Sequence, residues 1–307
     1  MTQPELLKRG DLVAIAAPAR AVAEAEMEAA VALLEHWGLR VLLPEGLYSR
    51  ADQFAGSDAH RAAVLQQLLD NDEVRAIFCA RGGYGSVRIV DRLDFSRFCQ
   101  RPKWVVGYSD VTVLHSHIVR NCHVDTIHGI MPINIPADAD RVEYPALLSL
   151  HQLLFDGTVD YTTLGDCLLY RSGQTVAPMV GGNLSMLYSQ LASATDLDTD
   201  GKILFIEDLD EYLYHIDRMM TALRRAGRLD KLKGLVVGAM SDMHDNSIPF
   251  GHTAEEIVWE AVKDYDYPVV MGCPFGHIGT DNRALVFGID TALNVASNGT
   301  ANLSFHL

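Results

Sequence analysis

The sequence is short of positive charge. Its 25 Lys and Arg stand against 40 Asp and Glu, giving a formal net charge of -15 and a pI near 5.1. Phosphate backbones and anionic lipid surfaces reward clustered Lys and Arg, so neither nucleic acid nor a membrane is an expected partner. Long apolar runs are missing too. The opening "MTQPELLKRGDLVAIAAPAR" sets charges on both sides of a brief apolar stretch, unlike the extended apolar region of a signal peptide, and no later segment is apolar enough to span a bilayer. The five cysteines, Cys79, Cys99, Cys122, Cys167 and Cys273, are odd in number, scattered, and form no C-x-x-C pair. They read as reduced thiols rather than a disulfide framework or a zinc knuckle, and the expected location is cytoplasmic. Internal repeats and low-complexity segments are absent.

What is present is ordinary globular material: 307 residues, 49% hydrophobic and 21% charged. That length exceeds a usual single core, so two domains are expected. From Asp11 onward, apolar runs of strand length alternate with amphipathic stretches. "DLVAIAAP", "LRVLLP", "VRAIFCA", "KWVVGYS" and "VDTIHGIM" read as strands. Between them, "VAEAEMEAAVALLEHWG", "SDAHRAAVLQQLLDN" (capped by Ser57) and "DVTVLHSHIVRN" read as helices. The alternation predicts an α/β fold with a parallel sheet covered on both faces. After "YPALLSLHQLLFDG" the texture changes to short strand-like pieces broken by glycine, which places a domain boundary near residue 155, with domains 1–155 and 156–307. The second half mixes strands at "KILFIE" and "LKGLVVGAM" with helices at "LSMLYSQLAS", "YHIDRMMTALRRAG" and 253–265. It closes on "ALVFGIDTALNVAS" and "TANLSFHL" as an antiparallel β arrangement.

In "WVVGYSDVTVLH", Ser109 falls at the carboxyl end of a predicted strand, where open parallel sheets collect functional groups. Gly107 permits a close approach, and the backbone N–H of Asp110 opens the next helix, so an oxyanion formed at Ser109 would lie near a donor. The alternative is that Ser109 merely caps a helix starting at Asp110. The preceding strand ends in "ARGGYGS", whose Gly82 or Gly83 N–H would supply a second oxyanion donor if the two strands are neighbours; alternatively it is a glycine turn. That cluster has neither the G-K-[ST] nor the G-x-G-x-x-G of a nucleotide-binding loop.

A serine nucleophile needs a base, and there are twelve histidines. His115 and His117 point to different faces of a predicted helix, which argues against a shared metal. His128 lies at a strand end near Ser109 and is expected to be a hydrogen-bonded core residue. His244 and His252 belong to a polar loop and are candidates for a place beside substrate. His277, in "CPFGHIG", follows an apolar strand within a Pro/Gly-rich turn, where a rigid scaffold presents a side chain to a cleft. An orienting carboxylate is offered by Glu207, directly abutting the apolar strand "KILFIE". Asp208, Asp210 and Glu211 are expected to be a solvated acidic loop.

Taken together, "ARGGYGS", "VVGYSDVT", "TIHGIM", "GGNLSML", "ILFIEDLDEYLYHIDRMM" and "CPFGH" resemble the LD-carboxypeptidase family of serine peptidases over nearly the whole chain. The resemblance implies an N-terminal Rossmann-like or flavodoxin-like domain joined to a smaller β-rich C-terminal domain, as a homodimer with its active site at the domain junction. It also implies a cytoplasmic hydrolase of murein recycling that removes the terminal D-alanine from tetrapeptides after meso-diaminopimelate, with no metal or other cofactor. The nucleophile matches Ser109, the glutamate Glu207 and the histidine His277. The oxyanion donors fall on the backbone of Asp110 and of Gly83 in the "RGG" loop, with Gly82 as the other choice. Arg81, opening that loop, is a candidate for holding the substrate's terminal carboxylate, or else it pairs with a surface acid. The sequence departs from the family at Val286, where a proline is common, and at Asp210, where glycine is frequent. Rival expectations are a related microcin-immunity-type enzyme cutting peptidyl- or aminoacyl-nucleotide conjugates, a non-catalytic binder of a phosphorylated ligand, and, last, a metal hydrolase.

Overall fold

The alternation read between Asp11 and Met131 builds one parallel sheet. The computed structural model describes residues 1–162, 164 and 169–307, so Cys167 lies outside the described residues. Strands β1 (Leu12–Ala16), β2 (Arg40–Leu42), β3 (Val74–Cys79), β4 (Trp104–Gly107) and β5 (Thr126–His128) pair in parallel in the order β2-β1-β3-β4-β5. This is the flavodoxin-like order, with its switch point between β1 and β3. Side chains alternate between two cores: Val13, Ile15, Phe78 and Val106 pack into one, and Ala14, Ile77, Cys79 and Val105 into the other. Burying each large aliphatic on this sheet contributes about 1.5–3 kcal/mol, which is why the strands read as unbroken apolar runs.

Flanking helices form where expected. Glu24–His36 buries Met27, Ala30, Leu33 and Leu34, and Asp58–Asp70 is capped by Ser57, whose Oγ accepts the His60 N–H at 3.2 Å. The stretch predicted as one helix from Asp110 divides instead into a 3-10 turn at Ser109–Val111, an α-helix at Thr112–His117 and a π turn at Ile118–Cys122. Ser109 has φ of +63°, so the chain leaves β4 through a left-handed residue and enters the helix by the tighter turn.

The second half makes a seven-stranded sheet. Its strands are β6 (Thr158–Tyr161), β7 (Gly173–Asn183), β8 (Ile203–Leu209), β9 (Gly234–Ser241) and β10 (Val269–Val270), completed by two strands near the C-terminus. The glycine-broken pieces expected after residue 155 include β7, a single strand of eleven residues. Its first half pairs with a late strand up to Pro178, and its second half pairs with β8 from Met179.

The closing segment is antiparallel as expected, but its first strand joins the other sheet. β11 (Leu285–Phe287) leaves the second sheet and adds antiparallel to β5, giving the first sheet a sixth strand. The chain then turns at Gly288, φ +111°, where a Cβ would lie 2.2 Å from Asp125 Oδ1. It returns as β12 (Asp290–Val295) and β13 (Ala301–His306), in the order β10-β9-β8-β7-β12-β13-β6. This crossing from β10 to β11 carries residues 271–284 from one sheet to the other, and His277 lies on it. Among the described residues no helix is long and apolar enough to cross a membrane.

Candidate active site

Ser109 is not a cap. The cap position of the turn falls on Tyr108, and the Ser109 side chain has no hydrogen-bond partner among the described residues. A left-handed conformation at a non-glycine residue costs about 1–2 kcal/mol and is kept where surrounding structure enforces it. Gly107 supplies the clearance, since a Cβ there would sit 3.0 Å from Val111 Cγ2 and 3.1 Å from Cys79 Cβ. Asp110, 1% exposed, anchors the turn by accepting the Ser86 N–H at 2.8 Å, and burial raises its carboxyl above the usual range against that bond.

The "RGG" loop meets this elbow through one glycine. A Cβ on Gly82 would stand 3.0 Å from Ser109 Cβ and 3.1 Å from its Oγ, whereas one on Gly83, at φ +100°, would meet Arg20 Cδ at 2.5 Å. β3 and β4 are adjacent, as the two-donor reading requires. Among the described residues the backbone N–H groups of Gly82, Gly83 and Asp110 have no acceptor. Arg81 stands 4.0 Å from Glu26 Oε1 with its side chain 37% exposed, so the surface-acid pairing is present.

Glu207, the fifth residue of β8, is fully buried, and its Oε2 lies 2.6 Å from His277 Nδ1. Glycines wall it in: a Cβ at Gly276, φ +100°, would lie 2.6 Å from Glu207 Oε2, and one at Gly238 would lie 3.2 Å from Glu207 Cβ. The His277 turn is fixed by Asn282 Oδ1 accepting the Gly276 N–H at 2.7 Å and by Ser241 Oγ donating to the His277 carbonyl at 2.7 Å. Burial pulls the imidazole down, but the hydrogen bond to Glu207 and the charges of Glu207 and Asp208 outweigh it and raise its pKa. The His277 ring sits with its centroid 4.8 Å from that of Tyr108, the residue preceding Ser109. The crossing from β10 to β11 thus brings the Glu207–His277 pair to the end of β4.

Two expectations are corrected. Asp208 is no solvated acid: it is 2% exposed, and its carboxylate accepts Asn183 Nδ2, the Ser185 N–H and the Leu209 N–H at 2.8, 2.8 and 2.9 Å. Burial and the Glu207 charge push its carboxyl up to about 7 against those three donors. Asn183 in turn donates its N–H to Thr112 Oγ1 at 3.0 Å, tying the β8 end to the helix behind Ser109. Sequence reasoning missed this pair, although Asn183 preceding "LSML" is a helix-cap signal and its Oδ1 does accept the Met186 N–H. His128 is a core residue as expected, but it is not hydrogen-bonded. Both ring nitrogens lack a partner among the described residues, and the ring packs on Tyr108, Phe205 and Phe287 at 5.8, 5.0 and 5.7 Å. Burial, then the charges of His115 and His277, hold its pKa well below the usual histidine value.

The other four histidines weighed from sequence are occupied elsewhere. His115 Nε2 contacts the Gly107 carbonyl at 2.9 Å, and His117 stacks on Phe95. His244 pairs with exposed Asp210, and His252 lies 3.5 Å from Glu256.

A serine held in a left-handed turn at a strand's carboxyl end, with a carboxylate-bound imidazole packed on the tyrosine that precedes it, is the kind of grouping used by serine-type hydrolases on α/β scaffolds. Comparison with known proteins narrows the class. Residues 13–129 match the family model described as LD-carboxypeptidase N-terminal domain, and residues 176–293 match LD-carboxypeptidase C-terminal domain. The probable murein peptide carboxypeptidase of Bacillus subtilis is 35% identical over 299 residues, covering 96% of this chain and 92% of that one. The solved muramoyltetrapeptide carboxypeptidase of Oxalobacter formigenes superposes with a TM-score of 0.85 at 26% identity, over 96% of this chain and 99% of that one. The microcin C7 self-immunity protein MccF of Escherichia coli is 25% identical over 252 residues, 72% of each chain. The chain belongs to the LD-carboxypeptidase family of serine peptidases.

Proposed function

We propose that this chain is a cytoplasmic L,D-carboxypeptidase that releases the terminal D-alanine of murein tetrapeptides, cutting the bond after meso-diaminopimelate in peptidoglycan recycling, and that it works as a homodimer. The observation that carries the reading is the 2.6 Å contact of Glu207 with His277 on a ring packed against Tyr108, the neighbour of Ser109. Residues 1–155 supply Ser109 and the oxyanion donors in this reading, and residues 156–307 supply Glu207 and His277.

His277 Nε2 takes the Ser109 proton as Oγ attacks the scissile carbonyl, and Glu207 holds Nδ1–H and the charge that forms. The N–H of Asp110 and one N–H of the Gly82–Gly83 loop receive the oxyanion. Imidazolium then protonates the departing D-alanine amine, and a water activated by the same ring hydrolyses the acyl-enzyme. Neither the Ser109 hydroxyl nor His277 Nε2 has another hydrogen-bond partner among the described residues, which leaves both available for this exchange. General acid–base assistance of this kind contributes about 10²–10⁴ in rate, and each oxyanion donor about 10²–10³.

The test offers the purified chain L-Ala-γ-D-Glu-meso-DAP-D-Ala and, in parallel, an aminoacyl sulfamoyl adenylate. D-Alanine release by the wild type and none by Ser109→Ala is the expected result. Cleavage of the nucleotide conjugate alone would reassign the chain to the microcin-immunity type.

A further inference from the structure

A carboxypeptidase has to recognise a free terminal carboxylate whose carbon is three bonds from the scissile carbonyl carbon, and an unpaired guanidinium is the side chain best suited to do so. The arginines around the "RGG" loop are mostly committed. Arg61 is buried on the Pro18 and Gly85 carbonyls and Asp58, Arg88 also holds Asp58, and Arg81 faces Glu26. Arg20 differs: it is exposed, and its guanidinium has no hydrogen bond or ion pair among the described residues.

Its backbone is nonetheless fixed. The flanking Ala21 N–H donates to the Gln53 carbonyl at 2.9 Å, and Ala19 accepts from the Ala55 N–H at 3.1 Å. From that anchor the side chain lies over Gly83, where a Cβ would come within 2.5 Å of Arg20 Cδ and 2.7 Å of Nε. The paired glycines therefore serve two neighbours. Gly82 makes room for the Ser109 side chain and Gly83 for Arg20, on Cα atoms about 3.8 Å apart. Arg20 follows β1 and Gly82–Gly83 follow β3, so this arginine stands at the β1/β3 switch point, where open α/β sheets bind ligands, with Ser109 on the next strand.

We propose that Arg20 binds the terminal carboxylate of the substrate and so makes the enzyme a carboxypeptidase, an assignment that rests on the D-alanine-releasing reaction proposed above. The ligand class is a peptide ending in a free α-carboxylate. Glu26 neutralises Arg81, the arginine singled out from sequence, and Gly83 is required because a side chain there would displace Arg20.

The experiment compares the tetrapeptide L-Ala-γ-D-Glu-meso-DAP-D-Ala with its C-terminal amide on the full chain, by kinetics and by calorimetric binding to Ser109→Ala. The expected wild-type preference for the acid is about 10–100-fold, the worth of one charge-assisted bidentate contact. Arg20→Gln should erase that preference by lowering kcat/KM for the acid far more than for the amide, and Arg20→Lys should restore part of it. An undiminished acid preference in Arg20→Gln, or its collapse in Arg81→Gln instead, overturns the assignment while tetrapeptide cleavage keeps the reaction standing. A chain that neither binds nor cuts the tetrapeptide overturns both.

Discussion

His277 Nδ1 lies 2.6 Å from Glu207 Oε2, across a junction that joins residues seventy positions apart. Burial alone would lower the imidazole pKa, and the bonded carboxylate reverses the sign. If neutral His277 is the base, kcat/KM of the wild type should fall on the acid side through a pKa above the ordinary 6.5. In Glu207→Gln the charge of Glu207 is gone and only a neutral amide oxygen is left to accept from Nδ1, while burial remains, so the limb should move to lower pH, with kcat/KM lower by about 10²–10⁴. Profiles between pH 5 and 9 would check both; an unmoved limb would remove His277 from the role of base.

Strain at Ser109, the proposed nucleophile, predicts a difference between two variants that should both be inactive. Ser109→Ala keeps a Cβ at φ +63°, and Ser109→Gly does not. The glycine variant should be more stable than the alanine variant by about 1 kcal/mol, although glycine ordinarily costs stability. Urea midpoints at equal m-value would measure it. Equal midpoints would mean that the backbone at Ser109 is not held left-handed.

Gly82→Ala separates packing from chemistry. Gly82 needs no left-handed backbone, but its new Cβ would crowd Ser109 Cβ at 3.0 Å and Oγ at 3.1 Å, with Met131 Cε at 3.4 Å. We expect kcat to fall by at least about tenfold, because a small displacement of the attacking atom is enough, with a melting temperature close to wild type. Gly276→Ala should instead lose both, since its φ of +100° and the 2.6 Å approach to Glu207 Oε2 offend backbone and site together.

How much of this was readable beforehand follows from which contacts are local. β1 and β3 to β5 were legible because strands buried on both faces read as apolar runs, and Ser57 was legible because a cap bonds three residues on. The conformation of Ser109 was not, since a left-handed serine is imposed by tertiary packing and leaves no mark on the residue itself. Asp208 was misread because charge suggests solvent, while β8 runs two residues past Glu207 and takes the acid inside with it. β11 was misassigned because its partner is β5, some 160 residues earlier, and no local pattern encodes that choice.

Asp208 yields the remaining prediction. Removing its carboxylate in Asp208→Ala strands the Asn183 amide and the Ser185 and Leu209 N–H groups, so a loss of about 3 kcal/mol is expected. The pH dependence has a definite sign. A carboxyl raised from 3.8 up to about 7 holds its proton in the folded chain over a range where the unfolded chain has released it. The folded state therefore binds more protons there, and its stability falls as pH rises from about 4 to 7. Asp208→Asn cannot titrate and lacks that slope, so the wild type's stability relative to this variant should be greater at pH 5 than at pH 8 in urea unfolding. Because Asn183 also holds Thr112 in the helix that follows Ser109, both substitutions should lower kcat as well. A pH-independent difference between wild type and Asp208→Asn would show that Asp208 is ionised in the folded protein, held by its three donors.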